Sequence, residues 1–443
     1  MPLNACHLLT TILRSCHQIV YKLTSLLDSP DFIEQHRKRP QDFTRRPVLT
    51  FKNICLLLLN QLKAALQVEL DNFIDVLSEA TTEALPALTA QAFSKARNKV
   101  KPSAFVALNQ SLQQWLNDAG LTSKTWHGFR LLSVDGSMCH LPLEDCQIRY
   151  FGAREDNTQP VARLSTLYDV LNHQILDAAL GTEDICERGY AQGHLPHAPA
   201  HSLILFDRGY PAHWLFVDLQ QHGHQVVMRL PATFNTAASL FREAAADEQL
   251  ITLTATSAHA RTLCEQSGVD PAAVVQLRLI KVILDSGEIE VLATSLLDGE
   301  RYPATLFKAL YHLRWGVETD YRQLKQTHEL QNFSGRTPQA VKQDFYSQVL
   351  LNNLASLFCA SAQVAVDQRH AGSKHPWKVN YTQALSRLKN TLVVLLINPL
   401  QESLCTLLRK LARSTVAIRP GRSFPRKRRR PGTRGCEGYK RTM

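Results

Sequence analysis

The hydrophobic positions change their period along the chain. Up to about Leu121 they recur at helical spacing: residues 51–77 carry an amphipathic stripe with few breakers, and residues 89–100 open on the capping-type Thr89 and end before Lys101-Pro102. From Trp126 the period shortens. Residues 129–134 read as a strand ending at Asp135-Gly136. Residues 161–171 and 174–180 read as a hairpin joined at Asn172-His173, and residues 201–206 as a strand ending at Asp207-Arg208-Gly209-Tyr210. Pro211 suits the first turn of a helix to about Gln221, Gly223 closes it, and residues 225–230 form the next strand. This order predicts an α/β architecture, one mixed sheet flanked by helices.

Beyond Pro231 strand-like runs at 250–255, 274–284 and 289–295, with a turn at Asp285-Ser286-Gly287, predict a β-rich insertion. Pro303 opens a long helix through about Glu329, followed by helical segments at 338–362 and 381–396. A chain of 443 residues implies two or three domains. With 44% hydrophobic and 20% charged residues, wholesale disorder and fibrous classes are excluded. The longest apolar runs, 54–59 and 392–397, fall short of the roughly 20 residues of a membrane span, and the first 12 residues lack a signal-peptide pattern. No membrane partner is expected, and the expected location is cytoplasmic. Ten cysteines without a C-x-x-C pair read as reduced, mostly structural thiols.

The formal charge of +11 is unevenly placed. Residues 419–443 hold ten Lys or Arg against the single acid Glu437, so the rest of the chain is nearly balanced. The cluster Arg426, Lys427, Arg428, Arg429 and Arg430 suits polyanions and a salt-dependent affinity, or forms part of a solvated, disordered tail. On residues 89–100, Lys95, Arg97 and Lys99 read either as a DNA-docking face or as a solvated one.

Three acids stand out: Asp135 and Asp207 at the ends of two predicted strands, and Glu318 within a helix. Carboxylates at strand ends lie where α/β sheets place their sites, and hard divalent cations bind carboxylate oxygens, so the three together could hold two metals. Tyr311, Arg314, Glu318 and Lys325 follow at steps of 3, 4 and 7, within an arc of about 60° on one helix face. That stripe suits a charged ligand, and intrahelical pairing of Arg314 with Glu318 explains part of it equally well. Glu144, Asp145, Glu155, Asp156, Asp169 and Asp177 are expected mostly on solvated surface. Glu183 and Glu187 could approach a metal, although no spacing requires it. His194, His197 and His201 lack zinc-protease spacing, and Cys139 and His140 read as packing and turn residues.

The segment LYHLRWGVETDYRQLKQ, with Tyr311-x2-Arg314-x3-Glu318-x6-Lys325, resembles the signature of DDE transposases of the insertion-sequence-four family. Asp135 in LLSVDGS and Asp207 in LILFDRGY resemble that family's first and second catalytic aspartates. FTRRPVLTFKN and ALTAQAFSKARNKV are similar to its amino-terminal helical region. The resemblance implies a ribonuclease-H-like core in which Asp135, Asp207 and Glu318 coordinate two Mg²⁺ ions, with Mn²⁺ as a substitute. It implies that Tyr311 and Arg314 grip the phosphate of a flipped nucleotide and Lys325 another phosphate. Trp315 would stack on a base or be buried, and Arg208 would contact phosphate or form an ion pair.

The implied activity is cut-and-paste transposition: strand cleavage at terminal inverted repeats of double-stranded DNA, then strand transfer into target DNA. A hairpin intermediate is open to this family. The implied organisation is a helical DNA-binding region (1–121), the first part of the catalytic core (122–231), a β-rich insertion (232–300), the core helix carrying the glutamate (301–335), a C-terminal helical region suited to dimerisation (336–418) and the basic tail (419–443). A homodimer in the synaptic complex and a nucleoid-associated location follow. Two alternatives are a metal-dependent nuclease of the same fold without joining activity, discriminated by strand-transfer products, and a catalytically silent DNA-binding repressor.

Overall fold

The computed structural model describes residues 2–45, 48–60, 62, 64–153, 159–314 and 333–419. Trp315, Glu318, Lys325 and the cluster Arg426, Lys427, Arg428, Arg429 and Arg430 lie outside the described residues. The chain divides into two compact units, one comprising Met1–Thr122, Cys139–Val161 and Leu324–Met443, the other Ser123–Met138 and Ala162–Gln323.

The first unit is helical: α1 (Pro2–Asp28), α2 (Pro30–His36), α3 (Phe51–Leu59), α4 (Leu66–Thr81), α5 (Ala90–Arg97), α6 (Ser103–Asp118), α7 (Asp145–Phe151), α13 (Pro338–Arg369), α14 (Tyr381–Leu388), α15 (Thr391–Ile397) and α16 (Gln401–Arg413). The short strands β9 (Trp377–Val379) and β10 (Thr415–Ala417) pair antiparallel. α13 is the central rod, packing on α1, α3, α6, α14 and α16. Its Leu350, Leu354 and Phe358 share one core with Leu23, Ile54, Leu108 and Leu407. Among the described residues α13 is the one helix long and apolar enough to cross a membrane, but 67% of its most apolar stretch is buried inside the protein, as for a helix that is apolar all round and sits in a core. The stripe over 51–77 is split into α3 and α4 instead of one helix. The break follows Asn60, whose side chain donates to Asn390 Oδ1 at 2.8 Å and accepts from the Asn390 amide at 2.6 Å.

Arg97 corrects the reading of a basic face on α5. Lys95 and Lys99 are exposed, but Arg97 is buried. At 100° per residue, positions 95 and 97 lie on opposite sides of the helix. The Arg97 guanidinium donates to Asp344 Oδ1 (2.9 Å), Gln343 Oε1 (2.9 Å), Ser334 Oγ (2.9 Å) and the Ala340 carbonyl (3.1 Å), which leaves it no role in docking DNA.

Among the described cysteines none is in a disulfide. Burial pushes the Cys16 thiol up to about 11 and the Cys359 thiol up to about 12, and raises Cys55 further. Since the thiolate is the reactive form, a thiol reagent at neutral pH is expected to label the exposed Cys186 in the native protein. Cys16 and Cys55 should react only after denaturation, as peptide mass mapping would show.

The second unit holds most of an eight-stranded sheet: β1 (Arg130–His140), β2 (Val161–Asp169), β3 (Gln174–Gly181), β4 (Ser202–Phe206), β5 (Gln225–Arg229), β6 (Glu248–Leu253), β7 (Val275–Ile283) and β8 (Ile289–Thr294), in the order β3-β2-β1-β4-β5-β8-β7-β6. β1, β4 and β5 run parallel, β2 and β3 form an antiparallel hairpin, and β8, β7 and β6 extend the sheet antiparallel. The order β3-β2-β1-β4-β5 with a parallel centre is the ribonuclease-H-like arrangement. All of β4 is buried, which is why SLILF shows no alternation: a strand covered on both faces needs none. The helices here are α8 (Glu187–His194), α9 (His213–Gln221), α10 (Thr236–Glu243), α11 (Ala258–Gln266) and α12 (Thr305–His312). The stretch read as a β-rich insertion holds β6, β7 and β8 and also α10 and α11, short helices started by side-chain caps from Asn235 and Ser257.

Candidate active site

Pairing in the sheet brings the two aspartates together. Ser133 on β1 is paired with Leu205 on β4, so two residues further along each chain Asp135 comes level with Asp207. The two strands are parallel neighbours about 4.8 Å apart; Asp207 stands just past the carboxyl end of β4, where α/β sheets place their sites, and Asp135 is level with it within β1. β1 does not stop at Asp135-Gly136 as expected. It continues to His140 because it keeps β2 as a neighbour after β4 has ended at Phe206.

Asp135 is half-buried, and its Oδ1 accepts from the Gly136 amide at 2.9 Å. Its carbonyl accepts from Ser165 Oγ at 3.4 Å, and that hydroxyl lies 2.9 Å from His194 Nε2, whose Nδ1 lies 2.7 Å from Asp177 Oδ2. Both nitrogens of His194 are therefore engaged in a buried relay behind Asp135, and Asp177 is not the solvated residue expected. Nor is Asp169, which is fully buried against Arg130, with 2.8 Å between Nε and Oδ2, and accepts from the Asn172 amide at 3.1 Å to shape the hairpin turn.

Asp207 is gripped from two sides. Arg229, at the end of β5, places Nη2 3.0 Å from Asp207 Oδ1 and turns Nη1 onto Glu290 of β8. Tyr311 on α12 lies with its hydroxyl 3.2 Å from the Phe206 carbonyl and 3.4 Å from Asp207 Oδ1. Burial, reinforced by Asp207, pushes the Tyr311 phenol up, so at neutral pH it remains a hydrogen-bond donor. Arg314 is buried, its guanidinium carbon 5.6 Å from the Tyr311 ring centre. Asp135, Asp207, Tyr311 and Arg314 thus all belong to the second unit, with Tyr311 directly on Asp207. Lys95 belongs to the first unit.

Arg208 is exposed and forms no ion pair among the described residues, so the ion-pair alternative finds no partner there. Arg208→Ala is expected to weaken DNA binding uniformly across sequences and to reduce the slope of log affinity against log salt by about 1, measurable by fluorescence anisotropy at several salt concentrations.

Three residues of the site, Arg229, Glu290 and Tyr210, had no distinct signal in the sequence, and a fourth, Glu187, had only a weak one as an acid that could approach a metal. Arg229 and Glu290 are 61 residues apart, and only sheet pairing unites them. Glu187, at the start of α8, lies 3.0 Å from Arg163 Nη1. Tyr210 is buried with its hydroxyl unpartnered among the described residues. No group of three or more His, Cys, Asp or Glu among the described residues is already in metal-holding geometry; Asp207 and Glu187 turn to arginines instead. The donor chemistry nevertheless fits a hard divalent cation: carboxylate oxygens level with each other on neighbouring strand segments, with a phenol hydroxyl unpartnered among the described residues.

The family model of the transposase DDE domain matches residues 126–354, more than half of the chain. The chain belongs to this family. Transposase InsG for insertion sequence element IS4 of Escherichia coli K12 is 26% identical over 235 residues, 52% of this chain and 52% of its own length. The putative transposase InsZ of the same organism is 27% identical over 158 residues, 34% of this chain and 53% of its own. The chain spans about half the length of the curated relatives it matches. A solved piggyBac transposase synaptic complex with hairpin DNA is 9% identical, with a TM-score of 0.45, covering 88% of this chain and 85% of that one. In this DDE-family chain, Asp135 and Asp207 lie inside the matched segment at the level positions just described, and Glu318 of the signature lies inside it too.

Proposed function

We propose that the chain is a DNA transposase that binds terminal inverted repeats and performs cut-and-paste transposition by strand cleavage and strand transfer, as a homodimer in the synaptic complex. The observation that carries this reading is the level placement of Asp135 in β1 and Asp207 just past β4, set by the parallel register of the two strands, within a DDE-family segment. Asp135, Asp207 and Glu318 are the residues that would hold divalent cations, Mg²⁺ or Mn²⁺. When bound, two such ions activate the attacking oxygen and stabilise the leaving oxygen of an in-line phosphodiester displacement.

The chain's own groups prepare that site. Tyr311 donates toward Asp207 and fixes its rotamer, and Arg229 offsets its charge. The Ser165–His194–Asp177 relay holds the backbone of Asp135. By the family signature Tyr311, Arg314 and Lys325 would bind phosphate; Tyr311 and Arg314 are buried in this structure, so that role requires them to become accessible when DNA binds. Lys95, Arg208 and the tail cluster add sequence-independent attraction to DNA. A nucleoid-associated location in the cytoplasm follows from that substrate.

The test is Mg²⁺-dependent cleavage and joining of duplexes carrying the terminal repeats that flank the coding sequence. Wild type should cut at the repeat boundary and yield strand-transfer products, and Asp135→Ala and Glu318→Ala should bind the same duplex without cutting it. Cutting without joined products would instead indicate a nuclease, and unimpaired cutting by both variants would remove the site assignment.

A further inference from the structure

We propose that Glu187 is a further acid of this cation site, held in the resting state by Arg163, and that the Tyr210 hydroxyl is the donor that positions the carboxylates once a cation draws them inward. The proposal rests on the transposase reading above. Glu187 follows Asp135 by 52 residues in sequence, but it sits over the backbone beside both aspartates. A β-carbon at Gly136, beside Asp135, would lie 3.3 Å from its Cγ and Cδ, and one at Gly209, two residues after Asp207, would lie 3.6 Å from its Oε2. The Glu187 carboxylate therefore occupies space that a side chain at either glycine would contest.

Three carboxylates gathered in this way repel one another unless cations offset them. Arg163, 3.0 Å from Glu187, and Arg229, 3.0 Å from Asp207, meet that requirement in the resting structure. Both pairs are partly exposed, so the acids can exchange an arginine for a metal without a buried charge being stranded. Tyr210 supplies the independent observation. Its side chain is 2% exposed, its hydroxyl has no hydrogen-bond partner among the described residues, and the carboxylates whose charges act on that hydroxyl are Asp135, Glu187 and Asp207. Buried hydroxyls are ordinarily paired. A donor facing three acids that are all held elsewhere points to a second arrangement in which one of them accepts from it.

Calorimetric titration of the full chain with Mn²⁺, without DNA, reads this directly. Glu187→Gln is expected to bind Mn²⁺ about 10–100-fold more weakly than wild type, with Glu187→Asp recovering part of the loss. Tyr210→Phe is expected to weaken Mn²⁺ binding about 10-fold while its thermal midpoint stays at or above that of wild type, because the hydroxyl satisfies no partner in the resting fold. Circular dichroism confirms that each variant is folded. Wild-type Mn²⁺ affinity in Glu187→Gln overturns the role of Glu187, and wild-type affinity in Tyr210→Phe overturns that of Tyr210. Asp135→Ala separates the two levels: weaker Mn²⁺ binding in it alone leaves the aspartate site standing and removes only the further acid. Wild-type binding in all the variants, or no Mn²⁺ binding by wild type, overturns the site reading as well.

Discussion

Asp207→Asn is expected to lower metal-dependent cleavage of repeat-end DNA by about 1,000-fold while leaving DNA binding intact. The substitution keeps the shape of the side chain and an oxygen for the Tyr311 hydroxyl, but removes the negative charge a cation requires. Metal-ion catalysis supplies several kcal/mol of transition-state stabilisation, and each 1.36 kcal/mol corresponds to a factor of ten in rate. Stability should change little, because the Asp207–Arg229 pair is partly exposed, 32% and 22%, and such pairs contribute about 1 kcal/mol at most. Arg229→Met should behave differently. It leaves Glu290, only 9% exposed, without its partner, and should cost about 1–3 kcal/mol of stability. Cleavage of end-labelled duplex, with binding measured by anisotropy and unfolding by urea, separates the two effects. If Asp207→Asn cuts at the wild-type rate, Asp207 is a turn residue at the end of β4.

What was legible beforehand follows from the range of each interaction. The strands carrying Asp135 and Asp207 were readable because the apolar run of β4 and the turn residues after it are local features. The level placement of the two acids was not, since it depends on a parallel register between segments some 70 residues apart. Tyr311 and Arg314 read as one helix face, but α12 ends at His312 and Arg314 lies just past it, with its guanidinium still over the Tyr311 ring. Glu187 is readable only as one of two acids, with Glu183, that could approach a metal, and Arg229 carries no signal: an arginine ending a strand is ordinary, and only the folded sheet brings both to the aspartates. Lys95 and Arg97 show the converse error. Three basic residues within five positions read as one surface, whereas helical geometry leaves Lys95 and Lys99 in solvent and turns Arg97 into the core.

Arg97→Ala is expected to destabilise the first unit by about 3–5 kcal/mol, the cost of removing one partner from a buried ion pair. The side chains of Arg97 and Asp344 are 4% and 7% exposed. Without the guanidinium, Asp344 keeps the Ser334 amide at 2.6 Å and the Ser334 hydroxyl at 2.8 Å, but its charge has no cation to offset it. Gln343 and the Ala340 carbonyl lose their donors too. Arg97→Lys should recover only part of the loss, because one ammonium cannot reproduce the forked geometry that reaches four acceptors. The paired replacement Arg97→Met with Asp344→Leu should be less harmful than Arg97→Ala alone, since it removes both charges together. Lys95→Ala, on the exposed side of α5, should stay within about 0.5 kcal/mol of wild type while weakening DNA binding modestly at low salt. Urea unfolding followed by tryptophan fluorescence checks all four variants. A cost below about 1 kcal/mol for Arg97→Ala would place Arg97 among surface pairs and return it to the candidate DNA-contacting residues.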